Sequence, residues 1–327
     1  MKPSRIKHVI NNLIEQRWPA FLWGPPGVGK SAIVKEVAKE NELQLLDVRA
    51  SLLDPTDLRG IPAVVDGKAI WCPPSFLPSN PTSKGILFLD EINAAPPLVQ
   101  ASLYQLVLDR RVGEYELPKD WWIVAAGNRQ SDRSVVFRLA SALANRFVHL
   151  DFEVDLSDWR QWAIRERIHP SIVSFLAMRP ELLLEVPGES PAYATPRSWE
   201  IASDVIHRFQ KIEKCTDILN GTVGEGPTVE LAAFAKTNLR EEHFRSIVNR
   251  PTSAKLPTSL SEVFALTSWL SYHAAESDVR TAAAKLLGRM PPEFGVVVAK
   301  DMIHASKSFI REDGYKAFMK DHGELFI

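Results

Sequence analysis

Along the first half of the chain, short apolar runs alternate with stretches whose apolar residues recur at helical spacing. That alternation predicts a parallel sheet flanked by helices. Ile6 to Glu15 reads as an opening helix, Ala20-Phe21-Leu22-Trp23 as a short buried strand, and Lys30 to Glu40 as a second helix. Leu43 to Val48 and Ile86 to Leu89 read as strands, and Leu98 to Leu108 as a helix with the apolar residues Leu98, Ala101, Leu103 and Leu106 at helical spacing. Trp121 to Ala126 and Phe147 to Phe152 complete the set of strands. Proline-rich Ser51 to Lys84 holds a hairpin from Ala63 to Trp71, closed by Asp66-Gly67, a dipeptide that supplies the positive φ angles of a tight turn. Arg111 to Leu117 reads as a second hairpin.

Past Phe152 the pattern turns helical: Asp158 to Arg167, Pro170 to Met178, Trp199 to Lys214, Val229 to Thr237 and Thr281 to Leu287. Pro187 to Pro196 and Gly221 to Pro227 read as loops, and no internal repeat is visible. The expected architecture is an α/β core over residues 1–153 and an all-helical lid with a C-terminal helical region over 154–327.

Gly24-Pro25-Pro26-Gly27-Val28-Gly29-Lys30-Ser31 fits GxxxxGK[ST] between the first strand and its helix, the context that this phosphate-binding loop requires. Its glycines let backbone N–H groups converge on phosphate oxygens, and the helix N-terminus adds a positive dipole end. Lys30 would reach the β- and γ-phosphates, and Ser31 would offer a hydroxyl to Mg²⁺. A chance glycine-rich turn explains neither the full match nor its place.

Ile86-Leu87-Phe88-Leu89 ends in Asp90-Glu91. A buried parallel strand accounts for the apolar run; the two carboxylates stand where open α/β sheets bind ligands. Asp90 would hold Mg²⁺, and Glu91 would orient and deprotonate the attacking water. An acidic helix cap without chemistry is the alternative. Asn128, after Ile123 to Gly127, has two readings. Its amide suits both the γ-phosphate and the attacking water, yet Asn also commonly ends a strand in a turn.

Together the loop Gly24–Ser31, the acidic strand Ile86–Glu91 and Asn128 resemble the Walker A, Walker B and sensor 1 motifs of AAA+ ATPases. Leu89-Asp90-Glu91-Ile92-Asn93-Ala94-Ala95-Pro96-Pro97 and Asn145-Arg146-Phe147 are similar to the MoxR-like branch, over about residues 20 to 200. The resemblance implies that Arg146 is an arginine finger entering a neighbouring subunit's site. It likewise implies that Arg197, in Ala194-Thr195-Pro196-Arg197-Ser198-Trp199, is sensor 2 on the lid. Arg133, Arg138 and Arg146 lie in one stretch, and the alternative reading of any of the three is a solvated surface charge. The hairpins would be the helix-2 insert and the pre-sensor-1 hairpin. ATP and Mg²⁺ are the implied ligands. The implied assembly is a hexameric homo-oligomer that acts on a protein client with a von Willebrand factor A domain partner. Beyond about Asn220 no motif matches.

Composition narrows the alternatives. Lys plus Arg number 39 against 40 for Asp plus Glu, which gives no general attraction to nucleic acid or anionic membrane. No apolar run approaches the roughly 18 residues of a membrane span. Cys72 and Cys215 are two isolated cysteines, so no disulfide framework is expected and a reducing cytoplasm fits. His8, His149 and His169 lack paired-ligand spacing, and Trp121-Trp122 reads as core packing. Three functions remain: an ATP-driven remodeller of a protein client, a DNA-acting motor such as a helicase or translocase, and a scaffold gated by nucleotide without turnover. The near-neutral charge weighs against the second, and retention of Asp90 with Glu91 against the third.

Overall fold

The computed structural model describes residues 1–132, 136–186, 188, 190–237 and 241–326. The chain divides into two compact units, Met1–Asp155 and Leu156–Ile327.

In the first unit the order is α1 (Pro3–Gln16), β1 (Ala20–Trp23), α2 (Lys30–Glu40), β2 (Gln44–Arg49), α3 (Pro55–Arg59), β3 (Ile61–Val65), β4 (Lys68–Cys72) and β5 (Gly85–Asp90). There follow α4 (Pro97–Asp109), β6 (Arg111–Val112), β7 (Tyr115–Glu116), β8 (Trp121–Gly127), α5 (Ser141–Ala144) and β9 (Val148–Asp151). Five strands form one sheet in the order β2-β5-β8-β1-β9, every pairing parallel. The strands β5 and β8 are buried almost throughout, which is why they read as continuous apolar runs rather than alternating ones. Trp121 and Trp122 are core residues, and each indole N–H finds an acceptor, Ser83 Oγ at 2.9 Å and Trp18 O at 2.5 Å.

Both expected hairpins form, β3 with β4 and β6 with β7. Asp66 and Gly67 take φ of 50° and 72°, the two positive angles of a type I′ turn. Within the proline-rich segment, Asp54 to Gly60 contains the helix α3; Asp57 Oδ2 accepts from the Asp54 N–H at 2.8 Å. Gly60 is obligatory. Its φ is 81°, and a Cβ there would lie 1.9 Å from the Cys72 carbonyl oxygen.

The second unit is helical: α6 (Leu156–Arg165), α7 (Pro170–Met178), α8 (Pro196–Phe209), α9 (Thr216–Val223), α10 (Glu225–Thr237), α11 (Glu241–Asn249), α12 (Leu260–Tyr272), α13 (Ser277–Leu286), α14 (Pro292–Ala305) and α15 (Asp313–His322). Two sequence expectations are corrected here. Gly221 to Pro227 is no loop, because α9 and α10 meet at Gly224 alone, with φ 93°. Pro227 is tolerated because it stands in the first turn of α10, where no intrahelical N–H bond is needed. The helix expected to reach Lys214 ends at Phe209, where Gln210 turns left-handed at φ 61° and its N–H bonds to Ile206 O at 2.7 Å. Of the loop expected from Pro187 to Pro196, Pro187 and Glu189 lie outside the described residues. No helix among the described residues is long and apolar enough to cross a membrane.

His169 caps α7, its Nδ1 accepting from the Ser171 N–H at 3.2 Å. Burial, and then the charge of neighbouring His207, push its pKa from 6.5 down to about 4. The folded state therefore resists a proton that the unfolded chain accepts near pH 6.5, and acid favours unfolding. Stability present above about pH 6.5 should drain as the pH falls towards 4, by at most roughly 3 kcal/mol. Calorimetry of wild type and His169→Asn, which keeps a capping acceptor without titrating, should show a steeper acid loss in the wild type. Parallel pH profiles would remove His169 as the cause.

Candidate nucleotide site

The register of the sheet brings the candidate residues to one end. Trp23 on β1 pairs with Gly127 on β8, and Leu89 on β5 pairs with Ala125. The segments leaving those three strands therefore start side by side, at the carboxyl edge where such sheets bind ligands. Gly24 N–H donates to Gly127 O at 3.3 Å, which fixes the start of the loop against the end of β8.

Within the loop Gly27 and Gly29 have φ of 79° and 104°, a region that side chains other than hydrogen rarely enter. Gly24 is buried, and a Cβ there would press on the Phe152 Cβ at 3.1 Å. Val28 anchors the loop in the core, while Pro25 and Pro26 are half-buried. Lys30 opens α2 and is 8% exposed. Its ammonium donates to Gly24 O at 2.6 Å, Pro25 O at 2.9 Å and Asn128 Oδ1 at 2.9 Å. A buried cation requires such oxygen partners. The Asn128 contact joins a residue 98 positions away to the loop and takes that amide beyond simple strand termination.

Ser31 Oγ donates to Asp90 Oδ2 at 3.2 Å. A hydroxyl and a carboxylate this close form a hard oxygen pair of the kind that suits Mg²⁺, so the donor set fits the metal. Asp90 Oδ1 also accepts the Glu91 N–H at 2.9 Å. Glu91 has φ 55°, an uncommon left-handed conformation that turns the chain sharply after β5. Its Oε2 accepts from Ser51 Oγ at 2.6 Å.

Arg146 is exposed in the turn between α5 and β9, and among the described residues none pairs with its guanidinium. Arg138 is exposed too, and Arg133 lies outside the described residues. Arg197 is exposed in the first turn of α8, in the second unit. Burial, and then Asp204 and Glu166, raise the pKa of Glu200, with the charge of Arg197 opposing.

Sequence reasoning missed three contributors. Ser51 comes from the proline-rich segment and reaches Glu91 across 40 positions. Asp47 on β2 has a raised pKa, first from burial and then from Asp90, with Arg49 opposing. Asn93 is buried; its Nδ2 donates to Asn128 O at 2.7 Å, and Gly127 must be glycine because a Cβ would meet Asn93 Oδ1 at 2.3 Å. Only Asn93 had a signal in the sequence, an amide just after two acids.

Residues 19–147 match the AAA domain family, dynein-related subfamily. Over that span the chain is similar to an AAA domain. Its fold is the AAA+ P-loop fold, a five-stranded parallel sheet with flanking helices, followed by a helical region. No curated protein matches the chain. Among solved structures, NtrX from Brucella abortus with ADP is similar at 14% identity, covering 99% of this chain and 68% of its own, with a TM-score of 0.40. A mutant RuvB from Thermotoga maritima is similar at 15% identity over 82% of each chain, with a TM-score of 0.38.

Proposed function

We propose that the chain is a Mg-ATP-hydrolysing motor of MoxR type, working in the cytoplasm as a ring of identical subunits, six by resemblance, to remodel or activate a protein client. The observation that carries the reading is the placement of Lys30, Ser31, Asp90, Glu91 and Asn128 at one end of the sheet. In this reading the loop N–H groups and Lys30 hold the β- and γ-phosphates of ATP, and Ser31 with Asp90 would hold Mg²⁺. When bound, the metal neutralises charge on the transferred phosphoryl group. Glu91 takes a proton from water, whose oxygen bonds to the γ-phosphorus while the bond to the β–γ bridging oxygen breaks, leaving ADP and phosphate. Ser51 orients the Glu91 carboxylate through one oxygen. Asn128 donates from Nδ2 to the γ-phosphate, and its Oδ1 exchanges the Lys30 ammonium for the attacking water. Arg146 reaches the next subunit's site; Arg197 acts as sensor 2 from the lid.

The client reading draws on the first hairpin. Ile61 and Val64 are 75% and 79% exposed and Trp71 is 40% exposed. Between Ile61 and Cys72 the basic residue is Lys68, beside Asp66. The Trp71 N–H donates to Glu114 Oε2 at 3.2 Å, which ties the two hairpins together. An apolar, aromatic and mixed-charge surface suits protein better than a phosphate backbone, which needs several free cations. The MoxR resemblance adds a von Willebrand factor A domain partner.

DNA is therefore expected not to stimulate ATP hydrolysis. Replacing Lys68 to Trp71 should uncouple turnover from client function without abolishing it. The check is to titrate single- and double-stranded DNA into an ATPase assay at moderate salt. A several-fold, salt-sensitive stimulation would establish the DNA motor instead.

A further inference from the structure

Beside the cradle lies an aromatic cluster that the nucleotide chemistry leaves unused. Trp23, the last residue of β1 and the one before Gly24, stacks on Phe21 with centroids 4.1 Å apart. His149 on β9 lies against both rings, 5.6 Å from Phe21 and 6.0 Å from Trp23. The Trp23 indole N–H donates to His149 Nδ1 at 2.8 Å. An indole nitrogen can only donate, so Nδ1 carries no proton and the ring hydrogen sits on Nε2. Nε2 then donates to Ala144 O at 2.9 Å, a group that can only accept. Both nitrogens are committed, and the tautomer is fixed by its partners.

The two ends of this bridge matter. Ala144 closes α5, and its carbonyl also accepts from the Phe147 N–H at 3.2 Å. It thus defines the turn that carries Arg146. Phe147 packs edge-on against Phe21, 5.4 Å away. At the other end Trp23 O accepts from the Phe152 N–H at 2.7 Å, and Phe152 is the residue that leaves no room for a Cβ at Gly24. Among the described residues no side chain steers the Arg146 guanidinium, so the turn alone sets where it points. A group that must meet a reacting phosphoryl oxygen loses about 10²-fold in rate for a displacement near 1 Å.

We propose that His149 is a positioning residue that locks the Arg146 turn to the strand feeding the chain's own cradle, so that the finger offered to the next subunit is aligned by the cradle behind it. The proposal rests on the ring reading above and deepens it. His149 touches no nucleotide in this scheme; it acts through Ala144 and Trp23.

Mixed rings test it. His149→Ala should keep its KM for ATP within about 2-fold and lose kcat by roughly 10- to 100-fold. In mixtures shown to co-assemble, His149→Ala with Lys30→Ala should recover activity, because an intact cradle can meet an intact finger. His149→Ala with Arg146→Ala should not, because both lack an aligned finger. His149→Gln, whose amide can still donate to Ala144 O, should regain part of kcat and guards against a variant that fails to fold. Complementation of His149→Ala by Arg146→Ala but not by Lys30→Ala would place the effect in its own cradle and overturn the proposal, as would wild-type kcat in His149→Ala. The Lys30→Ala with Arg146→Ala mixture is the control. If that pair fails to recover, the ring reading itself falls, and the proposal with it.

Discussion

Lys30→Ala is expected to lose most of its ATP binding, while Glu91→Gln keeps binding and loses turnover. The difference follows from where each side chain sits. The Lys30 ammonium is buried among Gly24 O, Pro25 O and Asn128 Oδ1, all uncharged acceptors. A phosphate oxygen brought to that position would gain a charge-assisted bond, worth about 1.5–3 kcal/mol, so its loss should weaken binding by ~10²-fold. Glu91 lies one residue past the Asp90 that pairs with Ser31, and its carboxylate is held by Ser51. The amide of Gln keeps the size and the bond to Ser51 but cannot take a proton, so kcat should fall by roughly 10²–10⁴-fold. Equilibrium binding of a fluorescent nucleotide and steady-state hydrolysis separate the two effects. Wild-type affinity in Lys30→Ala would sink the cradle assignment. Undiminished turnover in Glu91→Gln would move the water-activating role to another residue.

Arg146→Ala should bind ATP normally yet hydrolyse it about 10³–10⁵-fold more slowly, the range for a guanidinium supplied in trans. The side chain is exposed, and among the described residues it has no partner. Truncation should therefore leave the stability of the chain near its wild-type value. That makes the kinetic loss interpretable. Mixing Arg146→Ala with Lys30→Ala subunits should restore part of the activity, since one supplies the cradle and the other the finger. Absence of recovery in co-assembled mixtures would show that Arg146 works within its own chain or not at all. Arg138, exposed in the stretch leading to α5, serves as the comparison. Arg138→Ala should hydrolyse ATP at close to the wild-type rate.

The sequence by itself determined the elements whose signal is local. The phosphate loop is eight consecutive residues, and its glycines are demanded by the positive φ of Gly27 and Gly29. Buried strands such as Gly85–Asp90 and Trp121–Gly127 announce themselves as unbroken apolar runs. The Asp66-Gly67 turn announces its hairpin through the angles it needs. The second unit was less legible. Residues 263 to 271 of α12 are buried all round except Phe264, so no polar face marks the helical period. Pro227 looked like a breaker although the first turn of α10 accommodates it. Tertiary structure alone decided the contacts between segments far apart in the chain. Asn128 could have ended a strand and nothing more; the pairing of β1 with β8 sets its amide against Lys30. Ser51 meets Glu91, Asn93 holds the Asn128 carbonyl, and His149 joins Trp23 to Ala144. Each of Ser51 and His149 is a single polar residue with no period and no motif of its own. Its role comes from the strand order β2-β5-β8-β1-β9, and only pairing between remote segments creates that order.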